Sequence, residues 1–327
     1  MSVILVFLQK AITQGIPLLL GANGEILTEK SGNLNLGVPG MMYMGGVGGL
    51  IGAFLYENST ANPMPFVGMM IALFSALLCS GFGALIYSVL TITLRANQNV
   101  TGLALTTFGM GFGNFFGGSL SGLAGGVGQI STASTASAFR AQIPFLCDLP
   151  VVGTIFFSHG FLTYLAIILT VVLSWFLFRT RKGLNLRAVG ESAATADAAG
   201  INVTVYKYLA TVIGGMIAGM GGLYFVMDFI GGTWANNAFG DLGWLAVALV
   251  IFARWRPLNA IWGSFLFGGL YILYLYIPGL GRSMQEIFKM LPYLVTIIVL
   301  IITSLRKKRE DQPPASLGLA YFRESRG

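Results

Sequence analysis

Apolar runs of the length that carries a helix across a bilayer, roughly 18 to 20 residues, recur along the whole chain and constrain its fold more than any other feature. A window of about 19 residues places them near 3–22, 33–55, 64–93, 99–120, 160–178, 205–230, 240–253, 257–277 and 287–304. Nine spans is the best count. Eight or ten are allowed, because 240–253 is short and Pro257 can make it one arm of a broken hairpin. Only 9% of the 327 residues are charged and 55% are hydrophobic, against about 25% charged residues in soluble domains. An ordinary soluble fold is excluded. Most of the 45 glycines lie within the apolar runs, and they follow no Gly-X-Y period, which excludes collagen and low-complexity disorder. The expected fold is all-α, a polytopic transmembrane helical bundle over 1–305 followed by a basic tail over 306–327.

A net charge of +7 does not mark a nucleic-acid surface, which needs a basic face with interleaved aromatics. Here the cations fall between spans, and cationic loops are retained on the cytoplasmic side. Alternation through nine spans puts Lys30, Arg95, Arg179, Arg181, Lys182, Arg187, Lys207, Arg254, Arg256 and the tail on one face, fifteen of nineteen Lys and Arg. Arg140, Arg282 and Lys289 fall on the other face, and Lys10 lies within the first span. The tail, with Arg306-Lys307-Lys308-Arg309, is therefore expected in the cytoplasm and the N-terminus outside. Gln9 and Lys10 interrupt the first apolar run and no small-x-small site follows Leu20, so that run is read as a retained helix. Two connections are long: an outer one over 121–158 and an inner one over 179–202. The apolar pieces Ile143–Leu146 and Leu149–Val152 of the outer loop are expected to lie against the membrane face.

Chemistry-bearing groups are sparse. Cys79, Cys147 and the single His159 support neither a disulfide framework nor a metal centre. The chain has no G-x-x-x-x-G-K-[ST] phosphate loop, so ATP hydrolysis is not expected in it. A Ser119/His159 protease pair can be imagined, but nothing in the sequence brings the two within hydrogen-bond reach. Asp228, Asp241, Lys207 and Lys289 fall near span ends rather than forming an intramembrane relay. Small residues four apart, Gly109, Gly113 and Gly117 with Gly215 and Gly219 and with Gly48 and Gly52, let helices approach closely or thin a helix beside a solute path. Asn33, Asn35 and Asn114 are candidate pathway groups. The two asparagines of Ser31–Gly40, flanked by Gly32, Gly37, Pro39 and Gly40, interrupt helix there. Two readings stand: an asparagine-capped turn, or a broken segment whose backbone only a protein-lined cavity can satisfy.

The inner loop runs Gly183-Leu-Asn-Leu-Arg-Ala-Val-Gly-Glu-Ser-Ala-Ala-Thr-Ala-Asp-Ala-Ala-Gly200-Ile-Asn202. Ser192 suits a helix N-cap, alanines favour helix, and Gly200 suits a left-handed stop. About two turns are expected, too short to be stable alone in water. Such a helix is either a docking element for a partner's groove or a solvated linker.

This loop, Glu29–Met42, Gly214–Gly222, Gly243–Trp255 and Met290–Leu294 together resemble permease subunits of binding-protein-dependent ABC importers for nucleosides, simple sugars and branched-chain amino acids. The likeness is nearest the nucleoside and simple-sugar branch, mainly through Glu29–Met42. The resemblance implies a non-enzymatic subunit in a bacterial-type inner membrane, forming the path of a small-molecule solute. It further implies a second, related permease, an ATP-binding subunit that holds the ATP and Mg, an extracytoplasmic solute-binding protein, and surrounding membrane lipid. The coupling helix that touches the ATPase then corresponds to Arg187, Glu191, Ser192, Ala194, Asp197 and Gly200, with Ser192 departing from the strict Glu-Ala-Ala form. No cofactor, metal or catalytic residue is implied in this chain. A passive channel or a secondary transporter for a neutral solute is the rival reading, though a channel gives no reason for a docking helix.

Overall fold

The computed structural model of the chain describes residues 3–123, 130–142, 147, 151–306 and 312–323. Thirteen α-helices are described: α1 Val3–Glu29, α2 Val38–Ser59, α3 Pro65–Ser88, α4 Gln98–Leu123, α5 Ala133–Phe139, α6 Phe161–Arg179 and α7 Arg181–Glu191. They continue as α8 Ala193–Ala198, α9 Val203–Tyr224, α10 Leu242–Ala253, α11 Pro257–Ile272, α12 Arg282–Lys289 and α13 Leu291–Arg306. Turns of π-helix prolong α3 to Thr93 and α9 to Ile230. Among the described residues β structure is limited to a single bridge between Ser131 and Thr233.

Seven of the helical stretches are long and apolar enough to cross a membrane, starting at Val3, Val38, Pro65, Phe161, Val203, Pro257 and Arg282. The two other expected spans are also helical. α4 has 26 residues, but glycine and polar groups dilute its apolar content. α10 has 12 residues, which at 1.5 Å per residue is about 18 Å, short of the ~30 Å hydrocarbon core. Arg254 and Trp255, both with positive φ, turn the chain from α10 into α11. Two boundaries move: α1 runs seven residues past the expected 22, and α2 starts at Val38 rather than 33. α7 is an element the inner loop was not expected to contain. In the outer loop, Ile143–Leu146 and Leu149–Pro150 lie outside the described residues, while Val151 and Val152 are half exposed.

α1 is the axis of the bundle. From Ala11 onward nearly every residue is buried, and α9, α10 and α11 pack around it, while α2 fills the space between α3, α4 and α9. Lipid offers no hydrophobic drive for such association, so close packing must supply it. The sequence provides it at crossings with no side chain: a Cβ at Gly24 would sit 2.2 Å from the Gly214 carbonyl oxygen of α9. Some polar groups inside the bundle bond across helices, as where Asn23 Nδ2 donates to Thr170 Oγ1 of α6 at 2.6 Å. Others, such as the Tyr43 and Tyr224 hydroxyls, are buried without a partner among the described residues. α13 lies outside this core, its apolar side chains Ile297, Ile301 and Leu305 exposed.

Candidate functional site

The inner loop folds into two short helices that meet at Ser192. Thr180 caps α7, its Oγ1 accepting from Gly183 N–H at 3.0 Å. Ser192 caps α8, its Oγ accepting from Thr195 N–H at 3.3 Å, which supplies one of the donors a helix start leaves unpaired. Gly200 ends α8 with φ +82° and open space around it. Ala193 and Ala196 turn inward onto Val189 and Val203, so Ala194, Thr195, Ala198 and Ala199 form an exposed, small-residue face. Gly200→Ala is expected to destabilise the chain by about 1 kcal/mol, the cost of a Cβ in a left-handed conformation, and Gly200→Asn by less. Thermal unfolding of the purified variants measures both.

Three segments meet under this loop. Gly190 packs on the turn after α1: a Cβ there would lie 2.3 Å from the Lys30 carbonyl oxygen and 3.2 Å from Gly32 N. Gly32 itself has φ +82°. The segment 312–323 then closes over both, Ser316 donating from N–H and Oγ to the Gly190 carbonyl at 3.0 and 2.6 Å and Gly318 N–H to the Gly32 carbonyl at 3.3 Å. Arg323 pairs with Asp197 of α8 at 3.1 Å. Tyr321 packs against the inward face of α8 and leaves its outward face open. Lys30, Arg187, Glu191, Arg256 and Pro314 line an adjoining cavity of about 410 Å³, and burial there lowers the Lys30 ammonium from its usual range to about 8.

Beyond Gly32 the chain runs through a buried, non-helical stretch over 33–37. Unpaired backbone is costly in such a place, and four side chains from three helices supply the partners. Leu34 N–H donates to Gln98 Oε1 of α4 at 2.7 Å. The Leu34 carbonyl accepts from Tyr87 of α3, and the Leu36 carbonyl from Thr106 Oγ1 at 2.7 Å. Asn35 N–H donates to Glu25 Oε1 of α1 at 3.3 Å. Both readings of this stretch hold in part: it is a broken, protein-lined segment, and Asn35 Oδ1 accepts from Gly37 N–H at 2.9 Å as a turn cap does. Asn33 reaches outward from it, Nδ2 donating to Thr211 Oγ1 of α9 at 3.0 Å.

Asn33 and Asn35 are thus buried structural partners at one end of the bundle. Asn114 stands apart, half-buried on α4 and paired with Asn237 through its own amide at 2.8 Å and the Asn237 N–H at 3.1 Å. The structure does not bring the three together. Of the glycines, Gly109 lies on Gly40, Gly113 and Gly117 face Trp234, Gly215 faces Ala84 and Met41, and Gly219 faces Ser80 and Gly45. His159 is buried with Nε2 held by the Ile155 carbonyl at 2.8 Å. Two residues escaped sequence reasoning: Glu25 and Glu29, one turn apart and fully buried at the end of α1. Glu29 Oε2 accepts from Trp255 Nε1 of the α10–α11 turn. The likeness of Glu29–Met42 touched Glu29 alone, and nothing in the sequence marked Glu25.

An integral, multi-pass helical membrane protein with a short capped helix standing out at one end is the class that this fold and this site define. Residues 7–300 match the family described as branched-chain amino acid transport system, permease component. The chain is 35% identical to a Haloferax volcanii protein provisionally named a glucose ABC transporter permease, over 94% of each chain. It is 31% identical to a nucleoside ABC transporter permease of Lactococcus lactis over 88% of each. To a guanosine ABC transporter permease of Bacillus subtilis it is 29% identical over 99% of each. The chain belongs to this permease family.

Proposed function

We propose that the chain is the transmembrane permease subunit of an ABC importer, forming the path of a nucleoside or simple sugar and driven by separate ATP-binding subunits. The observation that carries this reading is α8: capped by Ser192, stopped by Gly200, anchored from beneath, with a small-residue face left exposed. A groove in a partner subunit can take such a face to backbone depth. The names of the relatives, glucose, nucleoside and guanosine permeases, support a neutral polar solute, whose path needs aromatic faces and hydrogen-bonding groups more than charge. In this reading the α8 end faces the cytoplasm, where the cationic loops belong. A second related permease completes the pathway, and an extracytoplasmic binding protein delivers solute to the opposite face. Energy enters through closure of the ATP-binding subunits, biasing the bundle between two arrangements.

The test is affinity purification of the tagged chain from its native membranes in mild detergent, with identification of co-purifying proteins and an ATPase assay. An ATP-binding subunit is expected to co-purify. Ala194→Glu should weaken its retention about tenfold or more, the effect of burying an unpaired carboxylate in a partner's groove, while the chain itself stays monodisperse. A lone chain without ATPase activity, or retention indifferent to Ala194→Glu, would overturn the proposal in favour of a channel.

A further inference from the structure

A second cavity, of about 590 Å³, opens between the α8–α9 connection, the turn after α3 and the segment 312–323. Arg95, Lys207 and Arg323 line it, and among the described residues Asp197 is its single carboxylate, already bonded to Arg323 at 3.1 Å. Arg95 lies with its guanidinium 4.5 Å over the Phe322 ring. Lys207 is the unusual member. Near the start of a span it was expected to reach water or headgroups, yet it is 3% exposed, and among the described residues its ammonium has no ion pair or hydrogen-bond acceptor. A buried, uncompensated charge at a membrane boundary is costly and marks a functional group. The first turn of α9, with Thr204 and Val205 on the cavity wall, is capped by Asn202, whose Oδ1 accepts from Val205 N–H at 3.1 Å, and the dipole of this long helix adds positive potential there.

We infer that this cavity binds a phosphate group, its charge met by Lys207 and Arg95 with Arg323 at the rim. Two guanidinium groups and an ammonium around one space suit a multi-oxygen anion better than a single carboxylate. The cavity wall is continuous with a lipid-facing surface: Val205 is 48% exposed, and Leu209 and Ile213 on the same face of α9 are 56% and 45% exposed. Acyl chains can lie along that face while a headgroup phosphate enters the cavity, so an anionic phospholipid and a free phosphate share one binding chemistry here. Occupancy would tie α8, α9 and segment 312–323 together directly under the coupling loop.

Native mass spectrometry of the detergent-purified full chain, titrated with phosphatidylglycerol or phosphatidylcholine, tests the lipid source. Thermal unfolding in inorganic phosphate against equal ionic strength of chloride tests the soluble one. Phosphatidylglycerol retention, or phosphate protection, is expected to fall about tenfold in Lys207→Gln and in Arg95→Gln, the loss of one charged hydrogen bond. Arg95 is exposed, so its variant keeps the test valid if Lys207→Gln fails to fold. Lipid retention that depends on both residues makes the ligand a lipid; protection by phosphate alone makes it a soluble anion. Equal retention of the two lipids together with no phosphate protection, or binding unchanged in Arg95→Gln, would overturn the inference.

Discussion

Replacing Gly190 by valine is expected to cut solute uptake per ATP hydrolysed about tenfold or more, while the ATP-binding subunit still associates and still hydrolyses ATP. The contact that glycine permits is the junction between the coupling loop and the bundle. A Cβ at Gly190 would lie 2.3 Å from the Lys30 carbonyl oxygen and 3.0 Å from its carbon, so the loop must lift away from the turn after α1. That turn leads straight into 33–37, whose backbone is held by Gln98, Thr106, Tyr87 and Glu25 and whose Asn33 bonds α9. A push on α8 therefore arrives, within a few residues, at groups on α1, α3, α4 and α9. Packed interiors switch between arrangements rather than deforming continuously, so a loop displaced by an ångström or more loses its grip on the switch. The exposed face of α8 is untouched by the substitution, which is why docking should survive. Proteoliposome uptake measured beside ATPase activity separates the two quantities. An unchanged ratio would show that force passes from α8 to the bundle by another route.

The spans were legible because an apolar run of about 20 residues has few fates other than a membrane helix, whatever its neighbours do. The α8 helix was legible for a different reason: Ser192 and Gly200 carry their meaning in local backbone chemistry. What lay hidden depends on distant partners. Glu25 lies beyond the expected end of the first span, and nothing near it in sequence announces that Glu29 will take the indole N–H of Trp255, 226 residues away. α7 hid because Gly183 and Gly190 lower its helix propensity, and its inward residues, such as Leu186 and Val189, gain burial only once α6 and α9 are in place. The segment 312–323 read as part of a basic tail; its seat is set by Ser316, Gly318 and Tyr321 against loops far upstream. Asn33 and Asn35 were correctly singled out as helix interrupters, but the sequence could not say that their partners would be structural hydroxyls and backbone.

The largest effect on folding is expected at the crossing of α2 and α9. In an isolated helix, replacing glycine by alanine gains about 1 kcal/mol. At Gly219 the sign should reverse: a Cβ there would meet Ser80 Oγ at 2.1 Å and Ser80 Cβ at 2.3 Å, and across the crossing a Cβ at Gly45 would meet the Gly219 carbonyl oxygen at 2.3 Å. Ser80 cannot swing aside, being fully buried with its hydroxyl donating to the Ala76 carbonyl at 2.8 Å, and the Gly45 Cα stands 3.4 Å from the same Cβ position. Gly219→Leu adds volume that only separation of α9 from α2 and α3 can accommodate, at a cost of about 3 kcal/mol or more, and in a membrane no hydrophobic drive returns the helices to contact. Detergent-extracted Gly219→Leu is expected to lose its monodisperse peak in size-exclusion chromatography, and Gly219→Ala to melt at a lower temperature than the parent. Ser80→Gly should restore part of the Gly219→Ala loss, a coupling that a double-mutant cycle reads directly. Gly111 on α4 supplies the contrast, because nothing lies within 4 Å of its Cβ position. Gly111→Ala should be neutral or slightly stabilising. Equal damage at Gly111 and Gly219 would mean that helix glycines matter here for flexibility rather than for the distance between helices.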